Sequence, residues 1–253
     1  MLASVRDRAE ARDAAAAGAD LIDLKDPSAG ALGALALRDI AAIAAEIRLG
    51  WPQRPVSATV GDFDAPDHEG RCAMAQAVAA CGVDYVKVGL APGPHALAAL
   101  RRLAGLRLPS LVIVFLADAG IDLALAEQAA ALGFAGLMVD TADKSTGSLL
   151  RHVQPQALQA FIALARRHGR LSGIAGSLRQ DDVPMLRQLA PDYAGFRGAL
   201  CDGDRRGRLD PARLRRLRAL LRASSQVPEG DDASVRSSLR SRDDSVFDSR
   251  SIE

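Results

Sequence analysis

Residues 110–141 read SLVIVFLADAGIDLALAEQAAALGFAGLMVDT and carry the pattern that decides the fold. The apolar runs Ser110–Ala117 and Gly136–Thr141 have the length and composition of buried β-strands. Between them, Asp122–Leu132 predicts an α-helix that ends before Gly133. Two strands connected by a helix lie parallel in one sheet, so this stretch predicts a βαβ unit.

The same strand-and-helix unit recurs along the chain at intervals of roughly 25 to 30 residues. The predicted strands are Leu2–Val5, Asp20–Leu24, Pro55–Val60, Asp84–Gly89, Ser110–Ala117, Gly136–Thr141, Leu171–Ala175 and Tyr193–Arg197. The predicted helices are Asp7–Ala17, Arg38–Leu49, Glu69–Cys81, Pro94–Leu103, Asp122–Leu132, Pro155–His168, Asp181–Leu189 and Pro211–Leu221. Eight such units predict a single (β/α)8 TIM barrel, which we place at residues 1–223.

An open, doubly wound sheet is the alternative arrangement of such units. That fold usually has a glycine-rich turn after its first strand. The segment Arg6–Ala11 contains no glycine, which favours the barrel.

Composition changes once along the chain. Residues 224–253 are rich in Ser, Asp and Arg with little apolar periodicity, so we predict a disordered tail there. The formal net charge is +1, and no run of 18 apolar residues occurs. We therefore expect a soluble protein without nucleic-acid or membrane partners. The three cysteines form no CxxC pair, which indicates a reducing cytoplasm.

The lysines point to a chemistry. Of the 32 Lys and Arg residues only three are lysines, and Lys25, Lys87 and Lys144 each lie in or just after an even-numbered predicted strand. In this fold the carboxyl ends of the strands carry the active site, and alternate strands share a layer. A desolvated lysine can lose its proton and attack a carbonyl group, whereas arginine stays protonated. The pattern predicts one pocket with imine chemistry.

Carboxylates flank two of these lysines. Asp23 shares a strand face with Lys25, and Asp140 ends the strand before Lys144, so both are candidates for proton transfer. Asp26 and Asp143 stand in the loop-like segments DPSAG and ADKSTG, where turn or capping roles are expected. The four histidines show no metal-binding spacing.

Small residues follow predicted strands seven and eight, where this fold commonly binds phosphate. The segments are Ala175–Leu178, AGSL, and Arg197–Leu200, RGAL. Backbone amides near Gly176 and Gly198, the Ser177 hydroxyl and the Arg197 guanidinium form the candidate phosphate site.

Six runs carry a family resemblance: ADLIDLKDPSAGALGA (19–34), VSATVGD (56–62), VDYVKVGL (83–90), LMVDTADKSTGSLL (137–150), GIAGSL (173–178) and GFRGALCDGDRRGRLD (195–210). They resemble the (5-formylfuran-3-yl)methyl phosphate synthase family of methanofuran biosynthesis. The resemblance spans residue 1 to about residue 222. It implies a TIM-barrel lyase that joins two molecules of glyceraldehyde 3-phosphate into a phosphorylated furan aldehyde, with loss of phosphate and water.

The resemblance also implies individual roles. Lys25 matches the Schiff-base lysine and Lys87 the proton-transferring lysine of the family. Asp23, Asp140 and Lys144 match the supporting acids and amine, and Gly176, Ser177, Arg197 and Gly198 fall at the phosphate site. No organic cofactor or metal is implied, because the imine is the electron sink. We expect triose phosphates as small-molecule partners and a homo-oligomer.

Three other functions stay open on sequence grounds. Another Schiff-base sugar-phosphate aldolase would use the same lysines and give an acyclic product. A non-catalytic phosphate-ligand binding protein would have lysines of ordinary pKa. A protein-interaction module is suggested by the tail alone.

Overall fold

Eight parallel strands close into a barrel in chain order, within the residues that the computed structural model describes: 1–63, 67–108 and 110–223. The strands are β1 (Leu2–Val5), β2 (Leu21–Leu24), β3 (Val56–Thr59), β4 (Tyr85–Leu90), β5 (Leu111–Leu116), β6 (Gly136–Asp140), β7 (Leu171–Ile174) and β8 (Tyr193–Phe196). β1 pairs with both β2 and β8, which closes the sheet. The predicted TIM barrel is confirmed, and the open sheet is excluded. The predicted disordered tail lies outside the described residues.

A helix follows each strand. The helices are α1 (Arg8–Ala16), α2 (Leu37–Gly50), α3 (His68–Ala80), α4 (Ala96–Gly105), α5 (Leu123–Ala131), α6 (Pro155–Arg167), α7 (Val183–Leu189) and α8 (Pro211–Arg222). Asp122 caps α5 by accepting a hydrogen bond from the Leu125 N–H, and Gly133 follows that helix with φ +90°. None of the described helices has the length and apolar character needed to cross a membrane.

Two predicted helix starts lie two residues before those of the structure, and the others agree within one residue. α7 begins at Val183 rather than Asp181, because residues 180–182 form a short 3-10 turn in which the Asp182 carboxylate accepts the Arg179 N–H. α4 begins at Ala96 rather than Pro94, since Pro94 and His95 form a turn in which the Ala96 N–H donates to the Gly93 carbonyl oxygen at 3.1 Å. Local side-chain and backbone geometry therefore determines where α4 and α7 begin.

The strands alternate between two surroundings. Ile22 and Leu24 of β2 pack in the apolar layer beneath the helices, whereas Asp23 points into the barrel lumen. Asp23 lies beside Ser4 of β1 and Ser57 of β3 in the strand register. The lumen is therefore polar on this side, and the larger apolar core lies between the sheet and the helices.

Candidate active site

Three lysines line one cavity of about 550 Å³, together with the carboxylate of Asp140. Lys25 follows β2, Lys87 lies within β4, Asp140 ends β6, and Lys144 lies four residues beyond it. Parallel strands bring their carboxyl ends to one mouth of the barrel, which is why residues so distant in sequence meet there. The predicted convergence of the three lysines is confirmed.

Lys87 is held by a fully buried carboxylate. Its Nζ donates to Asp23 Oδ1 at 2.9 Å, and that oxygen also accepts the Ser57 hydroxyl at 2.7 Å. The Ser4 hydroxyl donates to Asp23 Oδ2 at 2.9 Å. Burial opposes ionisation of Asp23, but the Lys87 and Lys25 charges and these hydrogen bonds outweigh it, so the pKa of Asp23 is lowered. Asp23 is therefore a fixed carboxylate that orients the Lys87 amine.

A second pair lies on the other side of the lumen. Lys144 Nζ donates to Asp140 Oδ1 at 2.5 Å and also to the Thr141 carbonyl oxygen. The same Asp140 oxygen accepts the Thr141 N–H at 2.8 Å. Burial again opposes ionisation, but the Lys144 and Lys25 charges lower the pKa of Asp140. Asp140 is thus held as a carboxylate facing the cavity.

Lys25 differs from the other two lysines. It is 7% exposed, and among the described residues it makes no ion pair within 4.0 Å. Burial lowers the pKa of Lys25 from 10.5 to about 8, a shift that the Asp140 and Asp23 charges oppose and the Lys87 and Lys144 charges reinforce. At pH 7.5 this leaves about a quarter of the amines neutral, against about one in a thousand at the ordinary value. Lys25 is the amine best prepared for nucleophilic attack.

The three cysteine thiols are poorer candidate nucleophiles than the Lys25 amine. Burial raises the pKa of the Cys201 thiol to about 11 and also raises the pKa values of Cys72 and Cys81. All three are free cysteines. Because the thiolate is the nucleophile, the cysteines are poorly suited to react at neutral pH.

The segments after β7 and β8 line the same cavity. Gly176 and Ser177 have positive φ angles of +110° and +47°. The Ser177 hydroxyl donates to the Lys144 carbonyl oxygen at 3.3 Å, which ties the β7 segment to the β6 loop. Gly198 begins a short 3-10 helix, and a Cβ atom there would meet no atom within 4 Å. The backbone at Gly198 is therefore open to a ligand.

Arg197 lines the cavity but its donors point into the protein. Nε donates to the Arg205 carbonyl oxygen at 2.8 Å, Nη1 to the Ser4 carbonyl oxygen and to Glu10, and Nη2 to the Gly207 carbonyl oxygen and to Glu10. These bonds use all five N–H groups of a guanidinium. In this arrangement Arg197 has no donor left for the phosphate that the sequence assigned to it.

Asp26 and Asp143 act as turn residues, as predicted. Each accepts the N–H and the hydroxyl of the serine two positions later, Ser28 and Ser145. Sequence reasoning overlooked Ser4, Ser57, Glu10 and Arg205. The two serines alternate correctly with apolar strand residues, so that signal was available. No sequence signal identified Glu10 and Arg205, because their hydrogen-bond partners lie far away in sequence.

A closed parallel barrel with buried lysines at the carboxyl ends of its strands places this molecule in the class of (β/α)8 barrels with a lysine-lined pocket. The chain belongs to the 4-HFC-P synthase family, whose family model matches residues 1–218.

Relatives agree with this assignment, and a solved structure agrees with the fold. A (5-formylfuran-3-yl)methyl phosphate synthase of Methanosarcina acetivorans is 37% identical, over 81% of this chain and 92% of its own. A Methylorubrum extorquens protein that carries the same name as a provisional assignment is 41% identical, over 90% of this chain and 93% of its own. Phosphoribosyl anthranilate isomerase from Thermus thermophilus matches with a TM-score of 0.60 at 15% identity, covering 87% of this chain and 97% of that one. The last similarity shows the fold alone.

Proposed function

We propose that this protein is a (5-formylfuran-3-yl)methyl phosphate synthase that condenses two molecules of glyceraldehyde 3-phosphate through a Schiff base, as a step of methanofuran-type cofactor synthesis. Membership of the 4-HFC-P synthase family supports the product. The observation that carries the mechanism is Lys25: a buried amine without an ion pair among the described residues, with a pKa of about 8, facing the cavity. The reaction is that of a carbon–oxygen lyase acting on phosphates.

The first step uses the neutral Lys25 amine. Its lone pair adds to the aldehyde carbon of one triose phosphate, the resulting carbinolamine loses water, and a protonated imine forms. The imine withdraws electrons from the neighbouring carbon, so a proton can leave that carbon and a nucleophilic enamine results. The enamine carbon then forms the C–C bond with the carbonyl carbon of the second triose phosphate.

The two ion pairs divide the proton transfers. Lys87, oriented by Asp23, moves protons at the reacting carbons and oxygens, because its Nζ lines the same cavity as Lys25. Asp140 with Lys144 assists the loss of water and phosphate and the closure of the ring. Backbone amides at Gly176 and Gly198 hold phosphate, and the Ser177 hydroxyl joins them by giving up its 3.3 Å bond to the Lys144 carbonyl oxygen. Holding the phosphates makes an intermolecular condensation effectively intramolecular.

The atoms balance without an oxidant or reductant. Two molecules of glyceraldehyde 3-phosphate contain the atoms of one (5-formylfuran-3-yl)methyl phosphate, one phosphoric acid and two waters. Hydrolysis or displacement of the imine returns the Lys25 amine to its starting state.

Borohydride reduction of the full chain during turnover of glyceraldehyde 3-phosphate tests the proposal. We expect a triose adduct on the Lys25 peptide by mass spectrometry, lost in Lys25→Arg and retained in the matched variant Lys144→Arg, which keeps its charge beside Asp140. The product is identified in parallel by mass and ultraviolet absorbance. An adduct with an acyclic product would indicate a sugar-phosphate aldolase instead. No adduct on any lysine would refute the mechanism and favour a phosphate-ligand binding protein.

A further inference from the structure

Arg205 is a cavity-lining arginine that the proposed mechanism leaves unused. It lies in the segment between β8 and α8, is partly buried, and faces the same cavity as Lys25 and Lys144. Its Nη2 donates to the Gly30 carbonyl oxygen at 3.0 Å. Gly30 belongs to the loop that follows Lys25, so Arg205 connects the β8 and β2 loops at the mouth of the barrel.

Most donors of Arg205 are uncommitted. A guanidinium has five N–H groups. Among the described residues, the Arg205 guanidinium makes one hydrogen bond, to the Gly30 carbonyl oxygen. Arg197, by contrast, uses all of its donors within the protein. One of those bonds holds the Arg205 carbonyl oxygen at 2.8 Å. Arg197 therefore fixes the backbone from which the Arg205 side chain reaches into the cavity.

The local charge favours an anion at Arg205. Burial lowers the pKa of Arg205, and the Arg197 and Arg206 charges act in the same direction while Asp140 and Asp62 oppose it. The group remains a cation at neutral pH. Asp140, whose charge acts on Arg205 across the cavity, is already paired with Lys144 at 2.5 Å. A guanidinium that has free N–H groups and no ion pair with any residue described by the structure is suited to bidentate phosphate binding.

We propose that Arg205 binds the phosphate of the second triose phosphate, the molecule that adds to the triose held on Lys25. This inference rests on the proposed function, because that reaction brings two phosphate groups into one cavity. The amides after β7 and β8 suit one of them, and a second dianion nearby needs its own cation. Arg205, where the segment after β8 contacts the loop after β2, supplies it.

Three variants of the full chain test the inference: Arg205→Gln, Arg205→Lys and the matched control Arg206→Gln. Arg206 is exposed and does not line the cavity. The Arg206→Gln substitution therefore removes the same charge from the same segment outside the cavity. In Arg205→Gln we expect the borohydride-trapped single-triose adduct on Lys25 at the wild-type level, which also reports a correct fold. Turnover at low substrate should fall by about 10- to 100-fold through KM, as expected for loss of a charged hydrogen-bond donor. Arg205→Lys should recover part of it, and Arg206→Gln should stay within about twofold.

Inorganic phosphate provides a second readout. It should inhibit the wild type competitively, and the inhibition constant should rise about tenfold in Arg205→Gln but not in Arg206→Gln. Equal behaviour of the two glutamine variants in KM and in phosphate inhibition would overturn the role of Arg205 while leaving the Lys25 mechanism intact. Absence of a Lys25 adduct in the wild type would instead remove the proposed function and this inference together.

Discussion

Lys25 and Lys87 are both buried lysines of the barrel lumen, but they differ in how their charge is compensated. Lys87 is paired with Asp23 at 2.9 Å, whereas Lys25 has no ion pair among the described residues. The pKa of Lys25, about 8, lies below its value of 10.5 in an unfolded chain. The unfolded state thus binds more protons between these pH values, so this group's destabilising effect is complete below pH 8 and fades as the pH rises toward 10.5.

We therefore expect Lys25→Met to stabilise the protein at pH 7 by about 3 kcal/mol, the free energy that corresponds to this pKa shift. The increase in stability that the wild type shows between pH 8 and 10.5 should be reduced in the variant. Lys87→Met is the matched comparison and should lose about 3 to 5 kcal/mol, because it leaves the buried Asp23 carboxylate without its ion-pair partner. Urea denaturation at several pH values measures both. Equal losses in the two variants would contradict the assigned environments.

The rate of imine formation should follow the neutral fraction of Lys25 and rise with pH through a midpoint near 8. Asp140→Asn removes a charge that raises the pKa of Lys25, so its midpoint should move to lower pH. Lys144→Met removes a charge that lowers this pKa, so its midpoint should move to higher pH. Trapping rates measured across pH test the sign. An identical midpoint in all three proteins would show that these charges do not govern the reacting amine.

At the scale of elements, a buried ion pair connects α1 with the segment after β8. Glu10 is 1% exposed and pairs with Arg197, and it also accepts the N–H groups of Arg6 and Leu209 at 3.1 Å each. Its carboxylate therefore fixes the β1–α1 connection and the β8–α8 segment to each other. The pair lies next to the point where β1 and β8 close the barrel.

Glu10→Gln should destabilise the fold by about 3 to 5 kcal/mol, because it leaves the buried Arg197 guanidinium without its counter-charge. Glu46→Gln is the control, since Glu46 of α2 also pairs with arginines, Arg8 and Arg12, but at the surface. We expect no measurable change in its urea midpoint. If the two variants have the same stability, the Glu10 pair does not support barrel closure.

Element positions followed from the sequence because their causes are local. The capping Asp122, the glycine after α5 and the prolines that begin α6 and α8 act within a few residues. The predicted start of α7 is wrong by two residues, because the Asp182 side chain holds a 3-10 turn there by accepting the Arg179 N–H. Helix propensity does not reveal which side-chain bond a turn will adopt.

At the scale of the whole molecule, the sequence predicted which strands carry the lysines. Closure of the barrel then places the three lysines at one cavity. Asp23 and Asp140 followed from strand alternation in the same way. The role of Arg197 did not, because its partner Glu10 lies 187 positions away and the contact depends on the path of two loops. The contact of Arg205 with Gly30, 175 positions apart, was hidden for the same reason. Strand faces are periodic and predictable, whereas loop-to-loop contacts are not.

The alternation of β2 between helix layer and lumen also separates two kinds of evolutionary change. Ile22 and Leu24 can be exchanged for other aliphatic residues under selection for packing, whereas Asp23 between them is constrained by its hydrogen bonds and its ion pair in the lumen. New substrates can thus be explored at every second position without rebuilding the scaffold. Deletion of one residue from this strand would have the opposite effect. The side chains that face the lumen and those that face the helices would exchange sides, so folding and catalysis would be lost in a single event.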